Sequence, residues 1–151
     1  MSQSLSVVYL HLVFSTKDRR PLLCDPIFRD EMHQWLGSAS GILQCPSVLV
    51  GGVEDHVHIL ARHCRTISQA EWVKEIKRSS SIWIKERDSQ AQDFAWQAGY
   101  GVFSVSASNL DAVRDYVSKQ DEHHKQQSFQ DEFRMLLKKH GETWDERYVW
   151  D

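Results

Sequence analysis

The chain has 151 residues and a formal charge of −3 at pH 7, with 41% of its residues hydrophobic and 26% charged. This balance is typical of one globular domain over residues 1–151, and it excludes both a disordered chain and a protein that binds nucleic acid through a strongly basic overall charge. The three cysteines lie far apart and no apolar run is long enough to span a bilayer, so we expect free thiols in a cytoplasmic protein.

Hydrophobic periodicity and turn residues predict strands and helices in chain order. Apolar runs predict strands over residues 6–14, 47–51, 53–61 and 102–105, with 94–96 as further strand material. Amphipathic stripes and capping residues predict helices over 26–38 with Gly41 as a stop, from Ser68 to beyond Ile84, over 108–124 and over 129–140. This order predicts an α+β fold with an antiparallel sheet, helices packed on one face and additional C-terminal helices.

The strand over 53–61 carries two histidines that flank a single valine. Because successive side chains of a strand point to opposite faces, His56 and His58 share one face and Val57 points to the other. Two imidazoles at this spacing can chelate one metal ion, although two half-exposed histidines on an ordinary strand would give the same pattern. His11, on the first strand, is interpreted as a core histidine on the sheet near this pair.

The predicted helix over 108–124 presents a tyrosine and an amide together. Tyr116 and Gln120 are four residues apart, so they stack on one side of a helix at the edge of its buried stripe. Alone, they would be interpreted as a boundary aromatic and its solvated neighbour. With His56 and His58, the Gln120 oxygen would complete a three-ligand site for a divalent ion that acts as a Lewis acid on a phosphate, beside a tyrosine nucleophile.

Several motifs occur in a specific order along the chain. They are Phe14-Ser15-Thr16-Lys17 with Arg19-Arg20-Pro21, Asp55-His56-Val57-His58-Ile59-Leu60, Lys77-Arg78-Ser79-Ser80, Trp96-Gln97-Ala98-Gly99-Tyr100-Gly101, Tyr116 with Gln120 and Glu122-His123-His124, and Asp145-Glu146-Arg147-Tyr148. In this order and spacing the chain resembles the HUH single-tyrosine transposases. These include insertion-sequence enzymes that act on single-stranded DNA and their REP-associated tyrosine transposase relatives.

The resemblance implies a ferredoxin-like fold, close to the sheet of an RNA-recognition motif. It matches His56 and His58 to the HUH histidines, Tyr116 to the nucleophile and Gln120 to the amide of the metal site. It implies Mg²⁺ or Mn²⁺ as the ion, single-stranded DNA with imperfect hairpins as the substrate, and a 5′-phosphotyrosine intermediate. It also implies a homodimer in which the tyrosine helix of one subunit completes the histidine site of the other.

Two basic clusters are predicted to bind the DNA phosphates, because the overall negative charge would otherwise repel a polyanion. The residues are Lys17, Arg19 and Arg20 in a loop, and Lys77 and Arg78 on a helix. A solvated basic face is the ordinary meaning of such clusters. Trp96 and Tyr100 are the aromatic residues best suited by sequence to stack on bases.

Three other functions compete with strand transfer. The first is a domesticated relative that holds DNA hairpins without transposition, which the intact set of four site residues disfavours. The second is a two-histidine phosphoesterase, which normally needs a second histidine motif that the sequence lacks. The third is a sheet-based RNA binder, which would leave His56 and His58 unexplained.

Overall fold

Four strands form one antiparallel sheet at the centre of the computed structural model, which describes residues 2–151. The strands are β1 (Tyr9–Ser15), β2 (Ser47–Gly52), β3 (His56–Arg62) and β4 (Gly101–Val105). Their spatial order is β2-β3-β1-β4, so β3 and β1 occupy the middle. Together with the helices, this sheet confirms the predicted α+β fold class.

Five helices pack on this sheet. They are α1 (Pro26–Ile42), α2 (Gln69–Arg87), α3 (Leu110–Ser118), α4 (Gln120–Gln126) and α5 (Phe129–Lys139). The predicted cap of α2 is present, since the Ser68 hydroxyl accepts a hydrogen bond from the Glu71 amide at 3.0 Å. No helix within residues 2–151 combines the length and the apolar character that crossing a membrane requires.

The two faces of the sheet carry different side chains because strand residues alternate. The larger core lies between the sheet and α1 and α2, and it includes Leu12, Phe14, Val57, Ile59, Trp72 and Ile76. A smaller core lies on the opposite face, where Val13 and Phe103 meet Phe129, Phe133, Leu136 and Leu137 of α5. The C-terminal helices therefore cover the face that carries His56 and His58.

Three element predictions were wrong in detail. Helix α1 continues through Gly41 to Ile42, because packing on the core offsets the roughly 1 kcal/mol that a helical glycine costs. Residues 94–96 form no strand, and only a bridge between Thr16 and Trp96 joins this segment to the sheet. The predicted helix over 108–124 is broken at Lys119, whose φ and ψ of −109° and 29° are not helical.

The close approach of α3 to the sheet depends on a glycine in β2. A Cβ atom at Gly51 would lie well inside van der Waals distance of the Val117 carbonyl oxygen and 3.0 Å from its Cγ1. Gly51 is the cross-strand partner of His58, so this contact is on the histidine face. The absent side chain therefore sets how near α3 comes to the histidines.

Replacing Gly51 by alanine is expected to lower the free energy of unfolding by about 1–3 kcal/mol, because α3 must shift to relieve the overlap. Gly41→Ala is the matched control, since a Cβ there meets nothing within 4 Å. We expect Gly41→Ala to be neutral or to stabilise by up to about 1 kcal/mol. Urea unfolding of both variants measures the difference, and equal stabilities would contradict the close fit at Gly51.

Candidate metal and tyrosine site

Strand β3 directs both histidines into the space beneath α5. His56 and His58 are 1% and 0% exposed, and their ring centroids lie 5.1 Å apart. The Nε2 atoms of both rings face one carboxylate oxygen, Glu132 Oε1, at 3.1 Å from His56 and 3.0 Å from His58. The two imidazoles thus point towards a common centre, as the alternation along the strand predicts.

The Nδ1 atoms of both histidines contact side chains that lie outside this centre. His56 Nδ1 lies 2.7 Å from Asp55 Oδ1, and His58 Nδ1 lies 2.7 Å from His11 Nε2. Metal-binding histidines are commonly oriented in this way, because an Nδ1–H donated outwards leaves the Nε2 lone pair free to bind a cation. His11 is buried, as predicted, but the sequence did not indicate its direct contact with His58.

Gln120 is the first residue of α4 and joins the same centre. Its side-chain oxygen lies 3.1 Å from His56 Nε2, and the residue is 2% exposed. Its amide nitrogen is buried and has no hydrogen-bond partner within residues 2–151. A buried amide with one unsatisfied donor is costly, so this group is suited to a ligand that the protein alone does not supply.

Tyr116, at the end of α3, lies beside the two histidines of its own chain. Its ring centroid is 6.0 Å from that of His58, and it stacks on His123 at 4.5 Å. The phenol donates a hydrogen bond to Glu132 Oε2. Burial and the neighbouring Glu132 carboxylate raise the pKa of Tyr116 well above its usual value, so the phenol is held protonated.

Sequence reasoning missed Glu132. This residue is 3% exposed on α5, between Phe129 and Phe133 of the apolar stripe. Burial acts to raise the pKa of the carboxyl group, but hydrogen bonds to His56 and His58 hold it well below its usual value. The sequence did contain one signal, an acidic residue inside the apolar stripe of an amphipathic helix. A charged side chain is rarely buried without a partner, so this position indicated an unidentified polar contact.

Nitrogen and oxygen atoms that can bind a metal ion lie close together in this site. His56 Nε2 lies 3.1 Å from both Gln120 Oε1 and Glu132 Oε1, and His58 Nε2 lies 3.0 Å from Glu132 Oε1. Ligands at about 2.1 Å from an octahedral ion lie roughly 3.0 Å apart along each edge, so these separations fit a divalent cation. Burial lowers the pKa of His56, but hydrogen bonds to Asp55 and Glu132 outweigh it and raise the value to about 9, which shows that the site favours positive charge.

Comparison of the sequence with models of known protein families gives a match. The profile of the family described as "Transposase IS200 like" matches residues 4–120. The chain belongs to this IS200-like transposase family. The match confirms the resemblance to the single-tyrosine transposases that the sequence motifs indicate. Helix α5, and with it Glu132, lies beyond the matched residues.

Two solved structures share the fold of this chain. A protein of Deinococcus radiodurans R1 described as a transposase superposes with a TM-score of 0.61 at 20% identity, covering 80% of this chain and 98% of the other. A REP-associated tyrosine transposase bound to a REP hairpin superposes with a TM-score of 0.56 at 10% identity, covering 85% of this chain and 76% of the other. No curated protein sequence matches the chain.

A cavity of about 270 Å³ adjoins Tyr116 in this IS200-like chain. Its walls combine apolar and polar groups, namely His11, Phe103, Asn109, Tyr116, Lys139 and His140. The cavity therefore meets both the tyrosine and His11, the residue that orients His58.

The predicted DNA-binding loop is firmly held. The Thr16 hydroxyl donates to the Arg20 carbonyl at 2.6 Å, and the Lys17 amide donates to Ala95 at 2.9 Å. The Lys17 side chain is exposed, Arg19 lies 5.8 Å from the Trp150 ring centroid, and Arg20 pairs with Asp93. These positively charged groups remain at the surface on a rigid loop.

The two basic residues predicted on α2 differ in their surroundings. Lys77 Nζ donates to the carbonyls of Gln97 at 2.8 Å and Gly99 at 2.7 Å, and burial lowers its pKa to about 8. Arg78 is exposed and pairs with Glu75 at 2.8 Å. The structure therefore gives Lys77 a contact that stabilises the 97–99 loop.

The two aromatic candidates for base stacking, Trp96 and Tyr100, differ in their exposure. Trp96 is buried against Phe14, and its indole nitrogen donates to the Ser80 hydroxyl at 2.9 Å, so this candidate is part of the core. Tyr100 is 39% exposed beside Lys77. Of the two candidates, Tyr100 is the one whose ring retains a surface on which a base can stack.

We expect Lys77→Met to lower the free energy of unfolding by about 1–3 kcal/mol, because it leaves the Gln97 and Gly99 carbonyls without their donor. Lys74→Met, an exposed change on the same helix, is expected to stay within about 0.5 kcal/mol of the wild type. Urea unfolding compares the two variants. An unchanged stability of Lys77→Met would mean that these hydrogen bonds do not hold the loop.

Proposed function

We propose that this transposase cleaves single-stranded DNA near hairpins and rejoins it through a 5′-phosphotyrosine intermediate, with Tyr116 as the nucleophile. Mg²⁺ or Mn²⁺ would be held by His56, His58 and Gln120. The observation that carries this proposal is that the Tyr116 phenol and both histidine Nε2 atoms contact the same carboxylate, Glu132. A nucleophile and a cation site are thereby available to one phosphate group.

The proposed reaction exchanges one phosphodiester bond for another. The Tyr116 oxygen attacks the phosphorus, a new bond joins it to the 5′ side of the break, and the bond to the 3′ oxygen breaks to release a 3′-hydroxyl. When bound, the divalent cation supplies Lewis-acid polarisation of the phosphate. Attack of a 3′-hydroxyl on the phosphotyrosine reverses these steps and restores the phenol.

Proton movement in this scheme follows the hydrogen bond from Tyr116 to Glu132. The phenol must lose its proton to attack, and the hydrogen bond to Glu132 Oε2 fixes the direction in which that proton points. Since burial and the Glu132 charge raise the pKa of Tyr116, the nucleophile stays inactive until positive charge enters the site. This supports a reaction that depends on the cation.

A DNA hairpin is the proposed partner. The REP-associated tyrosine transposase that shares this fold was solved bound to a REP hairpin. Lys17, Arg19, Arg20 and Arg78 are the side chains we propose to contact phosphates, and Tyr100 is proposed to stack on a base. Lys77 would contribute through the loop that it stabilises, because its amino group is engaged with backbone carbonyls.

Replacing Tyr116 by phenylalanine tests the nucleophile. Single-stranded oligonucleotides from the flanks of the gene, chosen for their ability to form hairpins, would be incubated with the protein and Mg²⁺, and the covalent protein–DNA adduct would be measured by denaturing electrophoresis. We expect Tyr116→Phe to lose the adduct and to cleave more than about a thousandfold more slowly. Tyr148→Phe, an exposed tyrosine, should behave as the wild type.

Equal cleavage by the wild type and Tyr116→Phe would contradict the assignment of the nucleophile. Tight hairpin binding by the wild type, with no adduct under Mg²⁺ or Mn²⁺, would instead support a domesticated hairpin-binding protein.

We further propose that Tyr116 serves the histidine site of its own chain. The short distances between Tyr116, His58 and Glu132 within one chain support this arrangement. The homodimer with shared sites that the family resemblance implies stays a prediction, and the two arrangements differ in a mixing experiment.

Mixing Tyr116→Phe with His58→Ala protein distinguishes the two arrangements. If each site is built from one chain, neither protein can supply a complete site, and we expect the mixture to form no adduct. Recovery of adduct on mixing equal amounts, at about a quarter of the wild-type level for random subunit exchange, would show that the tyrosine is supplied by the partner subunit.

A further inference from the structure

We infer that Glu132 is a fourth protein ligand of the divalent cation, contributed by α5 from outside the residues that the family profile covers. This inference rests on the proposed function, because it adds a carboxylate to the proposed site of His56, His58 and Gln120. It assigns to the C-terminal helix a direct part in the metal centre.

The positions of the electron-pair donors lead to this inference. Glu132 Oε1 lies 3.1 Å from His56 Nε2 and 3.0 Å from His58 Nε2, while Gln120 Oε1 lies 3.1 Å from His56 Nε2. The carboxylate oxygen is thus as close to His56 Nε2 as the amide oxygen is, and it also lies beside His58 Nε2. A cation held by both rings would therefore come within reach of Glu132.

The burial of Glu132 strengthens this argument. Its side chain is 3% exposed, and no lysine or arginine pairs with it among residues 2–151. Its Oε1 atom instead faces His56 Nε2 and His58 Nε2, the two ring nitrogens proposed to hold the cation. A buried carboxylate is unfavourable unless positive charge lies beside it, and a divalent cation bound to both rings would supply that charge.

The second oxygen of the same carboxylate connects the cation to the nucleophile. Glu132 Oε2 accepts the hydrogen bond from Tyr116, so Oε1 remains available to the cation. Helix α5 is itself held in place, because Phe129 and Phe133 pack against Trp150 with ring centroids 6.4 and 5.9 Å apart. The proposed ligand is therefore presented by a fixed helix.

Direct Mn²⁺ binding by the full chain without DNA tests the inference. Mn²⁺ would be titrated into wild type, Glu132→Gln, Glu86→Gln and His58→Ala, and free Mn²⁺ measured by electron paramagnetic resonance. We expect Glu132→Gln to raise Kd by at least about tenfold, because the amide keeps the shape but loses the charge. Glu86→Gln makes the same chemical change at an exposed position and should leave Kd unchanged.

The variants separate failure of this inference from failure of the proposed function. Binding that depends on His58 but is equal in wild type and Glu132→Gln would overturn Glu132 as a ligand and leave the His56–His58–Gln120 site intact. Absence of Mn²⁺ binding by the wild type would overturn both. Thermal unfolding in EDTA checks that Glu132→Gln folds.

If Glu132→Gln does not fold, Glu132→Asp takes its place in the titration. Its carboxylate is carried on a shorter side chain, so its Kd should also rise. A wild-type Kd for Glu132→Asp would contradict the inference.

Discussion

The site depends on one electrostatic constraint: acceptor atoms are gathered where water cannot reach them. Between the sheet and α5, the carboxylate oxygen of Glu132 lies 3.0–3.1 Å from two imidazole nitrogens, and the amide oxygen of Gln120 lies 3.1 Å from one of them. In a buried environment these groups repel one another unless positive charge lies between them. The high pKa of His56, about 9 despite burial, and the lowered pKa of Glu132 express the same requirement for positive charge.

The fold meets this constraint by giving the two faces of the sheet different roles. On one face, apolar side chains of β1 and β3 build the larger core with α1 and α2. On the other face, the alternate residues of the same strands supply His11, His56 and His58. The histidines are consequently mounted on the two central strands, where hydrogen bonds on both edges restrict backbone movement.

Local periodicity was enough to predict part of the site. The two-residue repeat of a strand indicated that His56 and His58 share a face, and the spacing of Tyr116 and Gln120 indicated that they belong together. The second prediction assumed one continuous helix, whereas the helix is broken at Lys119 and Tyr116 and Gln120 lie on separate helices. The break was not predictable from propensity, since it depends on how α3 fits against Gly51 and on the contact of Gln120 with His56.

Contacts between distant parts of the chain could not be predicted in this way. Glu132 contacts His58 although 74 positions separate them in the sequence, and His11 contacts His58 at a separation of 47 positions. Lys77 is another example, because a basic residue on a helix suggested a phosphate contact, whereas the pattern gave no sign of the loop carbonyls that engage its amino group. A sequence pattern gives the face on which a residue lies, but its partner is known only once the other elements are packed.

The interruption at Lys119 has a mechanical consequence. Tyr116 and Gln120 belong to separate short helices, and α3 spans only nine residues, about 13 Å. No continuous ladder of helical hydrogen bonds crosses the joint, so α3 and α4 are separate units of backbone structure. In the proposed mechanism, the DNA strand joined to Tyr116 would be carried by one unit while Gln120 belongs to the other, so no shared helix would tie the attached strand to the amide.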